Sequence, residues 1–147
     1  MTTTLNTLET IELAQSFASS LVGGEILALH GDLGGGKTTF TKGLAEALRV
    51  EEIVTSPTFV IMKVYPGKIG DKKIEFVHID AYRCENIEDI KSVGIEDYLG
   101  RDDVVMAVEW AEKIMKILPK NMINIDFAFI DEKTRKIEIK GCDEANN

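Results

Sequence analysis

The sequence predicts an α/β domain in which a mixed parallel and antiparallel sheet is flanked by helices and carries a phosphate-binding loop. Three observations lead there. The apolar run Ile26-Leu27-Ala28-Leu29 reads as a buried strand, and Gly31-Asp32-Leu33-Gly34-Gly35-Gly36-Lys37-Thr38 directly after it satisfies the pattern G-x-x-x-x-G-K-S/T. A helical pattern then runs from Thr38 to Leu48 with Phe40, Leu44 and Leu48 on one face. Further on, Val104-Val105-Met106-Ala107-Val108 is the continuous apolar run of a strand buried on both faces.

The other elements follow in chain order. Leu8, Ile11, Phe17, Ala18 and Leu21 fall near helical spacing, with Asn6 or Thr7 as N-cap and Gly23-Gly24 as the stop. Ser56-Pro57-Thr58 is a rigid turn, because proline fixes its own φ and restricts the residue before it. Phe59 to Tyr65 reads as a strand, Pro66-Gly67 through Asp71 as a turn, and Ile74 to Asp80 as a second strand. Ile87 to Val93 reads as a short helix capped by Asn86 and stopped by Gly94. Ala111 to Leu118 is expected to be helical and to end before Pro119. The alternating runs Ile123 to Phe127 and Lys136 to Lys140 predict a hairpin.

Bulk properties narrow the functional classes. A chain of 147 residues is expected to form one domain, with a flexible polar tail at 143–147. No segment is long and apolar enough for a membrane span, and the start Met1-Thr2-Thr3-Thr4-Leu5 lacks the build of a signal peptide, so a cytoplasmic location and no membrane partner are expected. The net charge of −8 argues against a general basic surface for nucleic acid; if the chain works on RNA, a partner holds it. Cys84 and Cys142 are far apart and read as free thiols, and His30 and His78 are too few to build a metal site by themselves.

The chemistry concentrates at the loop. Its glycines let the backbone fold tightly and aim N–H groups inward, and the helix N-terminus adds partial positive charge, so the nest suits a polyphosphate. Lys37 is expected to reach the terminal phosphates and Thr38 to offer its hydroxyl to Mg²⁺. Such a loop needs a carboxylate on a neighbouring strand, and two end strands here: Asp80 and Glu109. Spacing alone leaves open which of them binds metal and which positions the attacking water. Thr58 fits either a mobile element that senses the terminal phosphate or a turn capped by hydroxyls.

Taken together, the motifs resemble the TsaE (YjeE) family of bacterial P-loop ATPases, which take part in making threonylcarbamoyladenosine at position 37 of tRNA. The matching pieces are Gly31 to Thr39, Ser56-Pro57-Thr58-Phe59, His78-Ile79-Asp80-Ala81-Tyr82-Arg83, Gly94-Ile95-Glu96-Asp97-Tyr98 and Glu109-Trp110, in that order. Gly35 stands where the family usually has Ala. The resemblance implies that Thr38 and Glu109 coordinate Mg²⁺, and that Asp32, Leu33, Gly34, Gly35, Gly36, Lys37, Thr38 and Thr39 cradle ATP. It also implies that Asp80 acts at the attacking water with Thr58 in the loop beside it, and that Trp110 and Arg135 lie near the nucleotide. Tyr82 and Arg83 are left as structural or partner-facing residues. The implied activity is slow ATP hydrolysis that resets the TsaB–TsaD heterodimer between turnovers, with tRNA met only through those partners. Two other readings compete. A small-molecule or nucleoside monophosphate kinase would bring several arginines over the phosphates, whereas Arg49, Arg83, Arg101 and Arg135 are scattered. A GTP-dependent switch would need an N-K-x-D segment, and none is present.

Overall fold

The computed structural model describes residues 2–31, 36–55 and 61–140. Seven strands form one sheet: β1 (Thr2–Thr4), β2 (Ile26–Gly31), β3 (Met62–Ile69), β4 (Lys72–Asp80), β5 (Val104–Glu109), β6 (Ile123–Phe129) and β7 (Arg135–Lys140). Their spatial order is β1-β7-β6-β2-β5-β4-β3. β2 pairs in parallel with β5 on one side and β6 on the other, and β5 pairs in parallel with β4. Antiparallel strands close both flanks through the β3–β4, β6–β7 and β1–β7 pairs. The predicted mixed α/β sheet is therefore the one observed.

Strand alternation sends successive side chains to opposite faces. Leu27, Leu29, Phe76, Val105, Ala107, Ile125 and Phe127 build one core layer beneath α1 (Thr7–Ala18) and α2 (Lys37–Ala47). Ile26, Ala28, Val77, Ile79, Met106 and Val108 build the other, beneath α3 (Ile87–Lys91) and the 3-10 turns at 95–97 and 111–117. Phe40 is fully buried in the first layer and meets the Phe127 ring edge-on at 5.4 Å. Asn6 caps α1 by accepting from the Glu9 amide, as expected. Asn86 and Asp89 form a reciprocal capping box on α3, and Gly94 then turns the chain at φ 90°.

Four boundaries differ from expectation. α1 stops at Ala18, and its buried stripe is Thr10, Ala14 and Ala18, leaving Leu8 exposed about half a turn away. Small residues line that stripe because α1 crosses α2 at Gly43, where an added Cβ would lie 2.7 Å from the Ala14 Cβ and 2.8 Å from the Ile11 carbonyl oxygen. β3 runs straight through Pro66 and Gly67 to Ile69, so the turn is confined to Gly70-Asp71. An edge strand tolerates the missing proline N–H, and Gly67 admits the Leu48 carbonyl, which accepts from the Lys68 amide at 2.7 Å. The segment after β5 forms two 3-10 turns, Ala111–Lys113 and Met115–Ile117, where a single helix was expected. Backbone geometry breaks at Ile114 (φ −127°), whose side chain is fully buried in the second layer. Finally, three-residue β1, which periodicity cannot register, adds to the free edge of β7.

Residues Ser56-Pro57-Thr58, the expected strand start Phe59-Val60, Cys142 and the tail at 143–147 lie outside the described residues.

An Ala in place of a mid-helix glycine ordinarily stabilises by up to about 1 kcal/mol. At Gly43 the close helix crossing reverses the sign: Gly43→Ala is expected to lower stability by about 1–3 kcal/mol, read as a shift of the urea-unfolding midpoint.

Candidate phosphate-binding site

Register determines which side chains gather at the carboxyl ends of the parallel strands. In the β4–β5 ladder Asp80 lies directly opposite Glu109, and in the β2–β5 ladder Leu29 does. Alternation places His78, Asp80 and Glu109 on the face covered by α1 and α2. That face meets the N-terminus of α2, where Gly36 sits at φ 100° and Lys37, Thr38 and Thr39 begin the helix. A cleft of about 290 Å³ opens here, bordered by Gly36, Lys37, Thr38, Asp80, Glu109 and Trp110. Thr39 and Arg135 also face it.

Glu109 is the centre of this arrangement. It is only 3% exposed, and a buried carboxylate is tolerated only when hydrogen-bonded. Its Oε1 accepts from the Thr38 hydroxyl at 2.9 Å and its Oε2 lies 2.5 Å from His78 Nε2. Asp80 is half-buried, and its Oδ1 accepts from the Tyr82 amide at 3.0 Å, so the chain turns around this carboxylate as it leaves β4. The two strand-ending acids thus have different surroundings: Glu109 is locked to the α2 N-terminus, and Asp80 stands at the rim.

Lys37 is buried although cationic. Its ammonium donates to the Gly31 carbonyl and lies 3.9 Å from the centre of the Trp110 ring. Trp110 can present that ring because its backbone is left-handed at φ 58°, turning the chain sharply after β5. Tyr82 flanks the indole at 5.1 Å, and Lys113 lies 5.2 Å over Tyr82 while donating to its carbonyl. Arg135 comes from the opposite side of the sheet. Its guanidinium donates to the carbonyls of Asp131 at 2.5 Å, Thr134 at 3.0 Å and Glu132 at 3.4 Å, and it lies over Phe129. This arginine therefore braces the β6–β7 hairpin that overhangs Gly36. Amides of Lys133 and Thr134 hold the Asp131 carboxyl below its usual range, which keeps the hairpin tip folded around an anion.

The structure brings Gly36, Lys37, Thr38, Thr39, Asp80, Glu109, Trp110 and Arg135 to one cleft. Asp32, Leu33, Gly34, Gly35 and Thr58 lie outside the described residues. Sequence reasoning missed Thr7, Thr10, Glu132 and Lys133 on the cleft wall, together with the contact of His78 on Glu109. Only the i, i+2 relation of His78 to Asp80 in one strand hinted at a shared face. His30 belongs to the other face, bonded to Asn124 at 2.8 Å. Burial pushes the Cys84 thiol up, with Asp89 adding and Lys113 opposing.

The donor set suits a small hard cation held together with phosphate oxygens. Among the described residues no three His, Cys, Asp or Glu side chains form a cage, while one hydroxyl and one carboxylate converge beside a cationic helix start. Mg²⁺ is commonly bound this way, through one or two carboxylates and the phosphates it accompanies.

Comparison with known proteins identifies the family. A family model described as "Threonylcarbamoyl adenosine biosynthesis protein TsaE" matches residues 4–137. This chain belongs to the TsaE family. Among its relatives, the tRNA threonylcarbamoyladenosine biosynthesis protein TsaE of Bacillus subtilis is 39% identical over 134 residues, spanning 91% of this chain and 80% of that protein. The Streptomyces coelicolor protein of the same name is 38% identical over 138 residues, covering 90% of each chain. The crystal structure of Bacillus subtilis YdiB superposes with a TM-score of 0.76 at 32% identity, covering 99% of this chain and 92% of that one. The fold is therefore shared along nearly the whole length. Among the described residues no helix is long and apolar enough to cross a membrane.

Because Trp110 is the only tryptophan in the chain and its ring touches the Lys37 ammonium, a polyphosphate that draws Lys37 away should change its emission. Titration with tripolyphosphate is expected to give a saturable intensity change in the wild-type protein and none in Lys37→Met.

Proposed function

We propose that this TsaE-family chain is a Mg²⁺-dependent ATPase that supports threonylcarbamoyladenosine formation in tRNA by acting on the TsaB–TsaD heterodimer in the cytoplasm. The observation that carries this reading is the 2.9 Å bond between Thr38 and Glu109, which joins the first turn of α2 to the end of β5 at the mouth of the cleft. Lys37, together with the loop amides from Asp32 to Gly36, binds the β- and γ-phosphates. The Thr38 hydroxyl and the Glu109 carboxylate hold Mg²⁺, which when bound neutralises charge on the phosphates. Asp80, at the rim and opposite Glu109 in register, orients the attacking water and takes its proton. Thr58 is assigned a part in catalysis on the family resemblance alone. Trp110 and the Arg135-braced hairpin wall the nucleotide from either side and exclude bulk water.

The kinase alternative finds little support in the arginines. Arg101 is tied to Glu75 at 2.8 Å and to Asp103 at 2.9 Å, at the opposite end of the strands from the cleft. Among the described residues, Arg135 is the one arginine on the cleft wall. A net charge of −8 fits a protein that meets tRNA through partners.

Asp80→Ala should retain ATP binding and lose about 100-fold or more in hydrolysis, while Lys37→Ala should lose both, compared by equilibrium binding and phosphate release. In reconstituted tRNA modification with TsaB, TsaD and the enzyme making threonylcarbamoyl-adenylate, multiple turnovers should require this chain and ATP. A single turnover with or without it would refute the assigned client.

A further inference from the structure

A buried histidine stands behind the acid assigned to the metal. His78 is fully buried, and its Nε2 lies 2.5 Å from Glu109 Oε2, the carboxylate oxygen that Thr38 does not use. With Glu109 ionised, Nε2 carries the proton and donates it. The other ring nitrogen, Nδ1, is buried and has no hydrogen-bond partner among the described residues. A histidine that served the core alone would satisfy both nitrogens or yield to an apolar residue, since an unsatisfied buried polar atom costs about 1–3 kcal/mol. Phe76, two residues earlier on the same face of β4, shows that the layer accepts a large apolar ring. The polar ring at position 78 is thus used through one atom, and that atom faces Glu109.

We infer that His78 is a positioning residue for the Mg²⁺ site: its Nε2–H pins Glu109 Oε2, so that Oε1 alone is turned toward Thr38 and the metal. This rests on the Mg²⁺–nucleotide reading proposed above. A carboxylate joined to a flexible side chain samples several rotamers, and holding one oxygen from behind removes that freedom before the metal arrives. The hold is rigid because donor and acceptor stand on adjacent parallel strands: His78 pairs with Ala107 in register, two residues before Glu109. Asp80 continues the same strand face, so one short segment of β4 both fixes the metal ligand and supplies the rim acid.

The test uses the full chain and the pair His78→Gln and His78→Asn. Glutamine places its amide N–H where Nε2 stands, whereas asparagine reaches only the position of Nδ1. Binding of a fluorescent ATP analogue is titrated with Mg²⁺, and separately measured in EDTA, after folding is checked by thermal melting. The expected result is that the wild type and His78→Gln share a Mg²⁺ midpoint within about threefold, and that His78→Asn needs about 10- to 100-fold more Mg²⁺. Binding in EDTA should be equal in all three. His78→Phe, which fills the space without a donor, should behave as His78→Asn. Coincident Mg²⁺ curves for all folded variants would overturn the positioning role, as would an equal loss of binding in EDTA. If the wild-type protein bound the analogue with no Mg²⁺ dependence, the metal-site reading itself would fall instead, so the two failures are distinguishable.

Discussion

The structure depends on one buried carboxylate. Glu109 ends β5 with almost no contact with water, and a charge in that position is costly unless both oxygens are engaged. One oxygen is held from α2 through Thr38 and the other from β4 through His78. Satisfying Glu109 therefore requires that the helix start, β5 and β4 all stand in their native places. The same pair of bonds that makes the buried charge tolerable also sets the distance between the phosphate loop and the acids opposite it. Stability and site geometry are coupled through this one side chain.

Topology explains why the site forms at this end of the sheet. The chain leaves β2 toward β3 on one flank of the sheet and leaves the adjacent parallel strand β5 toward β6 on the other side of β2, and such a switch point opens a crevice beyond the carboxyl ends of the strands. α2 starts in that crevice with its N–H groups pointing inward. The antiparallel flanks then work as walls. On one side the β6–β7 hairpin, braced by Arg135, leans over Gly36; on the other, the left-handed turn at Trp110 sets an indole against Lys37. Lys37, Lys133 and Arg135 bring positive charge to this cleft beside Asp80, Glu109 and Glu132, in a chain of net charge −8.

Much of this was legible in the residues themselves, for a physical reason. The phosphate loop is a local motif: its glycines, lysine and hydroxyl fall within eight neighbouring residues, so the pattern is complete in the sequence itself. β2 from Ile26 to Leu29 and β5 from Val104 to Val108 are buried on both faces and therefore apolar, and Phe40, Leu44 and Leu48 repeat at helical spacing because α2 covers one face. The helix expected after β5 failed because periodicity cannot see that Ile114 must leave helical geometry to enter the core. Pro66 and Gly67 mark turns in most contexts, and only their place on an edge strand against the Leu48 carbonyl makes them strand residues.

By itself the sequence determined the α/β class, the loop that suits phosphate, the two acids at strand ends and the resemblance to the TsaE family, because each is written in neighbouring residues or in a short repeat. The tertiary structure alone decided how the acids differ. Asp80 and Glu109 end strands in the same way in the sequence, yet register buries one between Thr38 and His78 and leaves the other at the rim. Hydrogen bonds between residues 31 and 71 positions apart are set by strand pairing and helix placement, and no local pattern encodes them.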